Sequence, residues 1–337
     1  METRHRENER DGKQPGRQTV RVAMIGAGQM ANRVHYPSLA SFADIAIVAV
    51  CDLDPDRLAA TADRYQIEGR YANYRLMIEE TAPDAVYAIG PPHLMYDVWV
   101  WCLERGLNLF IEKPMGITVH QAQTLAYLAG EQGCITQVGF QRRASPLAVR
   151  LRDECLARGP IVHAVCRFYK HQIAPFPSAL GHMMDDGVHA IDTLRWLCGG
   201  EVVDVQSTTR RVLVPDINFI AATLHFDTGA TGLLLNSWSS GRRIFSVEMH
   251  APGICAEADL EGEGRLYAGG DTGGVVYDAC AVAGSSEFFV YGGFRAKNRE
   301  FIDAVKTGTQ PSSSFADAVK TMEIAEKILA RAVLDGA

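Results

Sequence analysis

The chain has 337 residues, 47% of them apolar and 22% charged, with a formal net charge of −7. That is enough length and apolar content for two packed domains, and the negative balance gives no basic field for nucleic acid or an anionic membrane. No apolar run reaches the length of a membrane span, and the eight cysteines (51, 102, 134, 155, 166, 198, 255 and 280) form no C-x-x-C pair, which fits reduced thiols in a cytoplasmic protein.

Residues 1–19 are charged and polar, lack a hydrophobic segment, and read as a disordered tail rather than a secretion signal. The next stretch is the most informative. A β-branched apolar run from Val20 to Ile25 enters Gly26-Ala27-Gly28-Gln29-Met30-Ala31, a Gly-x-Gly-x-x-Ala turn at the mouth of a helix. Gly26 permits the tight turn, Gly28 lets backbone approach a pyrophosphate, and Ala31 is small enough for the helix to pack on the strand. Gln29 and Met30 fall in the first helical turn, where free N–H groups face the phosphates. A second apolar strand, Ile45 to Cys51, ends in Asp52, placed to accept hydrogen bonds from the adenosine ribose. A carboxylate there favours NAD over NADP, although Arg57, a turn into the next helix, is a possible phosphate contact. Asp52 also reads as an N-cap for a helix from Pro55, a role that Asp54 fills equally well.

Strand-like runs and amphipathic helices keep alternating to about residue 142, which implies βαβ units and a parallel sheet. Ala85 to Gly90 is a strand opening onto Pro91-Pro92-His93; Tyr96 to Arg105 returns as a helix to the strand Leu107 to Ile111. Thr118 to Gln121 resembles a capping box for a helix to about Gln132, stopped by Gly133 before the strand Cys134 to Phe140. Strand C-termini in such a sheet face the ligand crevice, so Gly26, Asp52, Gly90 and Glu112-Lys113 share one edge.

From residue 143 the texture changes to longer alternating runs, Ile161 to His171, Phe219 to Phe226, Ala230 to Ser237 and Phe245 to Ala251. These predict a mostly antiparallel open sheet with one covered face, in a second, α+β domain spanning residues 143–337. Ser314 to Asp317 caps a final helix with an apolar stripe of Val319, Met322, Ala325 and Leu329.

Glu112-Lys113-Pro114 ends a buried strand, an unusual place for a lysine unless it is paired or at work. Pro114 restricts Lys113 to extended geometry. In Met184-Asp185-Asp186-Gly187-Val188-His189-Ala190-Ile191-Asp192, Asp185 and His189 are four apart and project together if one helix covers them. Asp192, three beyond His189, is placed to hold the imidazole's tautomer. Arg167, Tyr169 and His171 alternate on one face of a strand, which reads either as entering the cleft, a mix of donors and aromatic surface that suits a sugar, or equally as an exposed sheet face. His35 and His93 read as packing or capping residues near the cofactor loops. His182, His189 and Asp185 do not amount to a zinc site, and no metal is expected.

Taken together, Gly26 to Ala31, Glu112-Lys113-Pro114, Gly139-Phe140-Gln141-Arg142-Arg143 and Asp185 to Asp192 resemble the glucose–fructose oxidoreductase, inositol dehydrogenase and rhizopine-catabolism family, Gfo/Idh/MocA. The resemblance runs from Val20 to the last helix. It implies that Lys113, Asp185 and His189 take the catalytic positions and that Arg142 lies near the nicotinamide and substrate. Met95 departs from it, because members often carry histidine there. The implied chemistry is reversible oxidation of a secondary hydroxyl on a sugar, amino sugar or cyclitol, with His189 as base, Lys113 lowering the alcohol's pKa and Asp185 binding the substrate. It also implies sheet-to-sheet packing into homodimers or homotetramers. An NAD-recycling glycosidase or sugar–sugar oxidoreductase would use the same residues; an NAD-sensing binding protein would not need them, and the intact Lys113, Asp185 and His189 argue against it.

Overall fold

The computed structural model describes residues 19–176 and 181–334. The expected tail therefore lies, but for Thr19, outside the described residues. Two sheets organise the chain. The first is parallel, with strands β1 (Val20–Ile25), β2 (Ile45–Cys51), β3 (Gly69–Tyr71), β4 (Ala85–Ala88), β5 (Leu109–Ile111) and β6 (Thr136–Val138). Their order, β3-β2-β1-β4-β5-β6, is that of a Rossmann domain. Strand order reverses between β1 and β4, so the ligand crevice opens where these two strands end, at Gly26 and Gly90.

The helices between these strands start and stop where their end residues dictate. Asp54 accepts hydrogen bonds from the backbone N–H groups of Asp56 and Arg57 and caps the helix Pro55–Tyr65. Thr118 caps Val119–Gln132, and Gly133, at φ +62°, takes the left-handed conformation that ends it. The helix after β4 starts earlier than its apolar pattern suggests, at Pro92, and runs to Leu103.

The second sheet holds β7 (His163–His171), β8 (Val202–Arg210), β9 (Phe219–Phe226), β10 (Thr231–Ser237), β11 (Ser239–Ala251), β12 (Ile254–Asp259), β13 (Glu263–Ala268) and β14 (Val275–Asp278). It is antiparallel except where β7 meets β10. One face is covered by the helices Pro146–Leu156 and Val188–Cys198, and β7 shows the consequence as strict alternation. Ala164, Cys166 and Phe168 are buried while His163, Val165, Arg167 and Tyr169 lie half-exposed on the open face.

The boundary near residue 143 separates the sheets but not the helices. Helix Phe294–Thr307 crosses back to the first sheet and buries Phe301, Ile302 and Val305 against the face formed by Val20, Val22, Met24 and Tyr87. The last helix, Phe315–Leu334, packs its Met322, Ala325 and Ile328 side onto the helix Val119–Gln132 and β8. No described helix is long and apolar enough to cross a membrane.

Candidate active site

The glycine turn is shaped by two different demands. Gly26 has φ +106°, and a Cβ there would sit 2.0 Å from the Ile89 carbonyl oxygen, so the close approach of the β1 and β4 ends admits only glycine. At Gly28 a Cβ would meet nothing within 4 Å. That open space above the backbone is what a pyrophosphate needs. Gln29 and Met30 begin the helical segment that runs to Ala40, with a π turn over Ala31–His35. Asn32 steadies the turn from inside, its amide donating to the Ala27 carbonyl at 2.8 Å and to Thr61 Oγ1 at 3.0 Å.

Asp52 is wired to this turn. Its Oδ2 accepts the Ala27 N–H at 2.7 Å, and its Oδ1 accepts the Asp54 N–H at 2.8 Å and the Arg57 guanidinium at 3.0 Å. Burial opposes ionisation, but these donors outweigh it and hold the carboxyl below its ordinary range. Arg57, which sequence reasoning left as a possible phosphate contact, lies on Asp52 and is itself half-exposed. Gly90 makes room for Met95, whose Sδ would be 2.9 Å from a Cβ at that position.

Glu112 and Lys113 follow β5, and the Lys113–Pro114 peptide is cis. The Glu112 carboxylate is buried. One oxygen meets His35 Nε2 at 3.0 Å, and the other ring nitrogen of His35 meets Asn298 Oδ1 at 3.1 Å. Gly139 belongs to this arrangement, because a Cβ there would lie 2.4 Å from Glu112 Oε1. His35 thus does more than pack: it ties the Glu-Lys-Pro turn to the returning helix.

Lys113 reaches across to the second domain, donating to the Asp185 carbonyl at 2.5 Å and lying 3.6 Å from Asp185 Oδ1. Asp185 does not sit on the same α-helix as His189. Met183–Gly187 form a π turn, and the α-helix starts at Val188. His189 is buried, with Phe140 and Phe245 edge-on to its ring. Burial first, then the charges of Lys113, Arg142, Lys170 and Arg243, push its pKa well below the ordinary 6.5, so the imidazole is neutral. Its Nδ1 has no hydrogen-bond partner among the described residues and is sealed from solvent.

Two expectations fail on geometry. Asp192 does not orient His189. It is fully buried and clasped by Arg143, whose Nε lies 2.7 Å from Oδ2 and whose terminal nitrogen lies 2.5 Å from Oδ1. Of the two readings of the β7 face, the structure takes the exposed one. Arg167, Tyr169 and His171 do share a face, but it is the open one, where Arg167 pairs with Glu248 at 3.0 Å and His171 Nδ1 meets the Ser240 carbonyl. From the same strand it is Lys170, of opposite parity, that turns inward to Asp186 at 2.5 Å.

Arg142 is buried against the Phe245 ring, 4.4 Å from its centroid, and bonds Glu261 at 2.7 Å. Arg243 grips the same carboxylate. Burial works against the charge of Glu261, yet the two guanidinium groups hold its pKa at about 2.

The comparisons with known proteins agree with this architecture. Residues 20–140 match the model of the oxidoreductase family with an NAD-binding Rossmann fold, and residues 158–251 match the GFO/IDH/MocA C-terminal domain. The chain belongs to the Gfo/Idh/MocA oxidoreductase family. It is an NAD-binding dehydrogenase by that membership, and the Gly28 cradle and Asp52 fit the cofactor. The chain is 26% identical to the rhizopine catabolism protein MocA of Rhizobium meliloti, over 91% of this chain and 93% of that one. It is 24% identical to the myo-inositol 2-dehydrogenase of Thermotoga maritima, over 88% and 92% respectively. The same fold occurs in levoglucosan dehydrogenase, solved in complex with NADH and levoglucosan, with a TM-score of 0.81 at 20% identity and 95% and 98% coverage.

Proposed function

We propose that the protein reversibly oxidises a secondary hydroxyl of a sugar, amino sugar or cyclitol, using Lys113, Asp185 and His189. The observation that carries this reading is the contact across the domains: Lys113, at the cofactor crevice, touches Asp185 beside a buried neutral imidazole. The named activities of the relatives, on inositol and levoglucosan, support the substrate class. Bound NAD supplies the hydride acceptor. The residues of the chain supply the rest. Gly26, Gly28, Gln29 and Met30 offer backbone to the pyrophosphate, Asp52 takes the ribose, and Gly90, Glu112 and Lys113 line the crevice up to Arg142. Nε2 of His189 takes the hydroxyl proton, the Lys113 ammonium stabilises the developing alkoxide, and a carboxylate oxygen of Asp185 accepts from a substrate hydroxyl.

The open face of the second sheet, which carries Val165, Leu233 and Leu235 between polar residues, is our candidate for self-association into a homodimer or homotetramer. Light scattering that finds only monomer at working concentrations would remove that part. The eight unpaired thiols support a cytoplasmic setting.

The test of the activity is direct. Purified protein is assayed for bound nucleotide, then given NAD with a panel of polyols while reduced nicotinamide is followed by absorbance. NADH accumulating in step with ketone supports a dehydrogenase with exchanging cofactor. Turnover without net NADH, with nucleotide retained through gel filtration, replaces it by the NAD-recycling reaction.

A further inference from the structure

The π turn carries two carboxylates in succession, and they go to different lysines. Asp185 faces Lys113, while Asp186 faces Lys170 on β7. We propose that Lys170 and Asp186 form a hydroxyl-binding subsite that holds the hydroxyl next to the reacting carbon, so that the substrate is a ring polyol with vicinal hydroxyls. This rests on the polyol reading above and adds which neighbouring group the enzyme reads.

A hydroxyl donates one hydrogen bond and accepts others, so a subsite for it needs an unspent acceptor beside an unspent donor. The pair offers both. Asp186 Oδ2 accepts from Lys170 Nζ at 2.5 Å and from Trp238 Nε1 at 3.1 Å, while Oδ1 takes no hydrogen bond among the described residues. The Lys170 ammonium has three protons and gives one of them to Asp186; its side chain is 27% exposed. Pairing of β7 with β11 passes from Tyr169–Ile244 to His171–Ser239, so four residues, Ser240 to Arg243, bulge past Lys170 without pairing to it.

The wall around the pair is short of partners. Both ring nitrogens of His182, stacked on Trp238 at 4.6 Å, and both amide atoms of Asn236 are buried with no hydrogen bond, as is Nδ1 of His189. Asn236 faces the same turn, with its Nδ2 3.2 Å from where a Gly187 Cβ would be. Buried polar atoms ordinarily find partners. The subsite is also close to the chemistry, since Asp186 directly follows Asp185, which Lys113 contacts.

The experiment is a cycle between enzyme side chain and substrate hydroxyl. The best substrate among myo-inositol, scyllo-inositol, D-glucose and D-galactose is compared with its analogues deoxygenated beside the reacting carbon, in wild type, Lys170→Met and Asp186→Asn. Wild type should lose about 10- to 100-fold in kcat/KM on removal of one neighbouring hydroxyl, as for a hydrogen bond to charged groups. In the variants the intact and deoxy substrates should differ by no more than about threefold. A thermal shift by NAD confirms that each variant is folded; if Lys170→Met is not, Lys170→Arg keeps the charge and moves the donors, and its deoxy penalty should still shrink. A deoxy penalty unchanged in folded, NAD-binding variants overturns the subsite while leaving the dehydrogenase intact. A wild type that binds NAD but oxidises no polyol overturns both.

Discussion

His35 and Glu112 meet at 3.0 Å inside the first domain, although 77 residues separate them in the chain. The Glu112 carboxylate sits against Gly139 and Glu112 immediately precedes Lys113, so anything that moves Glu112 moves the lysine. His35→Asn and Gly139→Ala should therefore act alike by different routes, one removing a partner and the other inserting a methyl group. Each should lower kcat by about 10- to 100-fold, the scale of an ångström-level misplacement, with NAD affinity nearly unchanged. Steady-state kinetics beside NAD titration decides it; two folded variants with wild-type kcat would reduce the arrangement to packing.

Asp52 and Arg57 carry a prediction about the choice of dinucleotide. With Arg57 lying on Asp52, the guanidinium is occupied and the carboxylate repels a 2′-phosphate. NAD should bind more tightly than NADP, and Asp52→Ser should narrow the gap both by removing repulsion and by freeing Arg57. The second substitution Arg57→Ala on that background should widen it again. Fluorescence titration with both reduced cofactors measures each step.

The depressed pKa of His189 fixes a pH profile. A base works when neutral, and an imidazole whose pKa lies well below 6.5 stays neutral to lower pH, so the acid limb of kcat/KM should fall below that value. Replacing Lys113, the largest charge acting on it, by Met should move the limb upward and lower kcat by on the order of 100-fold. A limb at or above the ordinary histidine value in wild type would take His189 out of the base's role.

Asp192 separates a structural from a catalytic effect. Removing its charge leaves Arg143 buried with only the partly exposed Asp317 as counterion, so Asp192→Asn should cost about 3 kcal/mol of stability. The rate per folded molecule should hold. Thermal unfolding alongside active-site titration tests this, and a loss of kcat at full folding would return Asp192 to the service of His189.

These outcomes mirror what could be read from residues alone. The cofactor half was legible because its determinants are local: Gly26, Gly28 and Asp52 act through backbone shape and strand ends a few residues away. The substrate half depends on parity and distance. One residue along β7 separates Arg167, Tyr169 and His171 on the open face from Lys170 in the site, and alternation alone does not say which face is covered. Asp192 looked apt by helical spacing, but Arg143, 49 residues earlier, holds it. His35 and Asn298 lie 263 residues apart, and no periodicity links them.

The returning helix Phe294–Thr307 bears on how the protein is made. The first domain's sheet precedes the second sheet in the chain, yet one of its faces is completed by Phe301, Ile302 and Val305. Tyr36, Leu39 and Ala62, from the domain's own helices, share in covering that face, but the part at Tyr87 and Phe110 stays open until the second sheet has emerged from the ribosome. The nascent Rossmann half must then persist with Tyr87 and Phe110 short of their Phe301 cover, so the nucleotide-binding domain is completed last although it is translated before the second sheet.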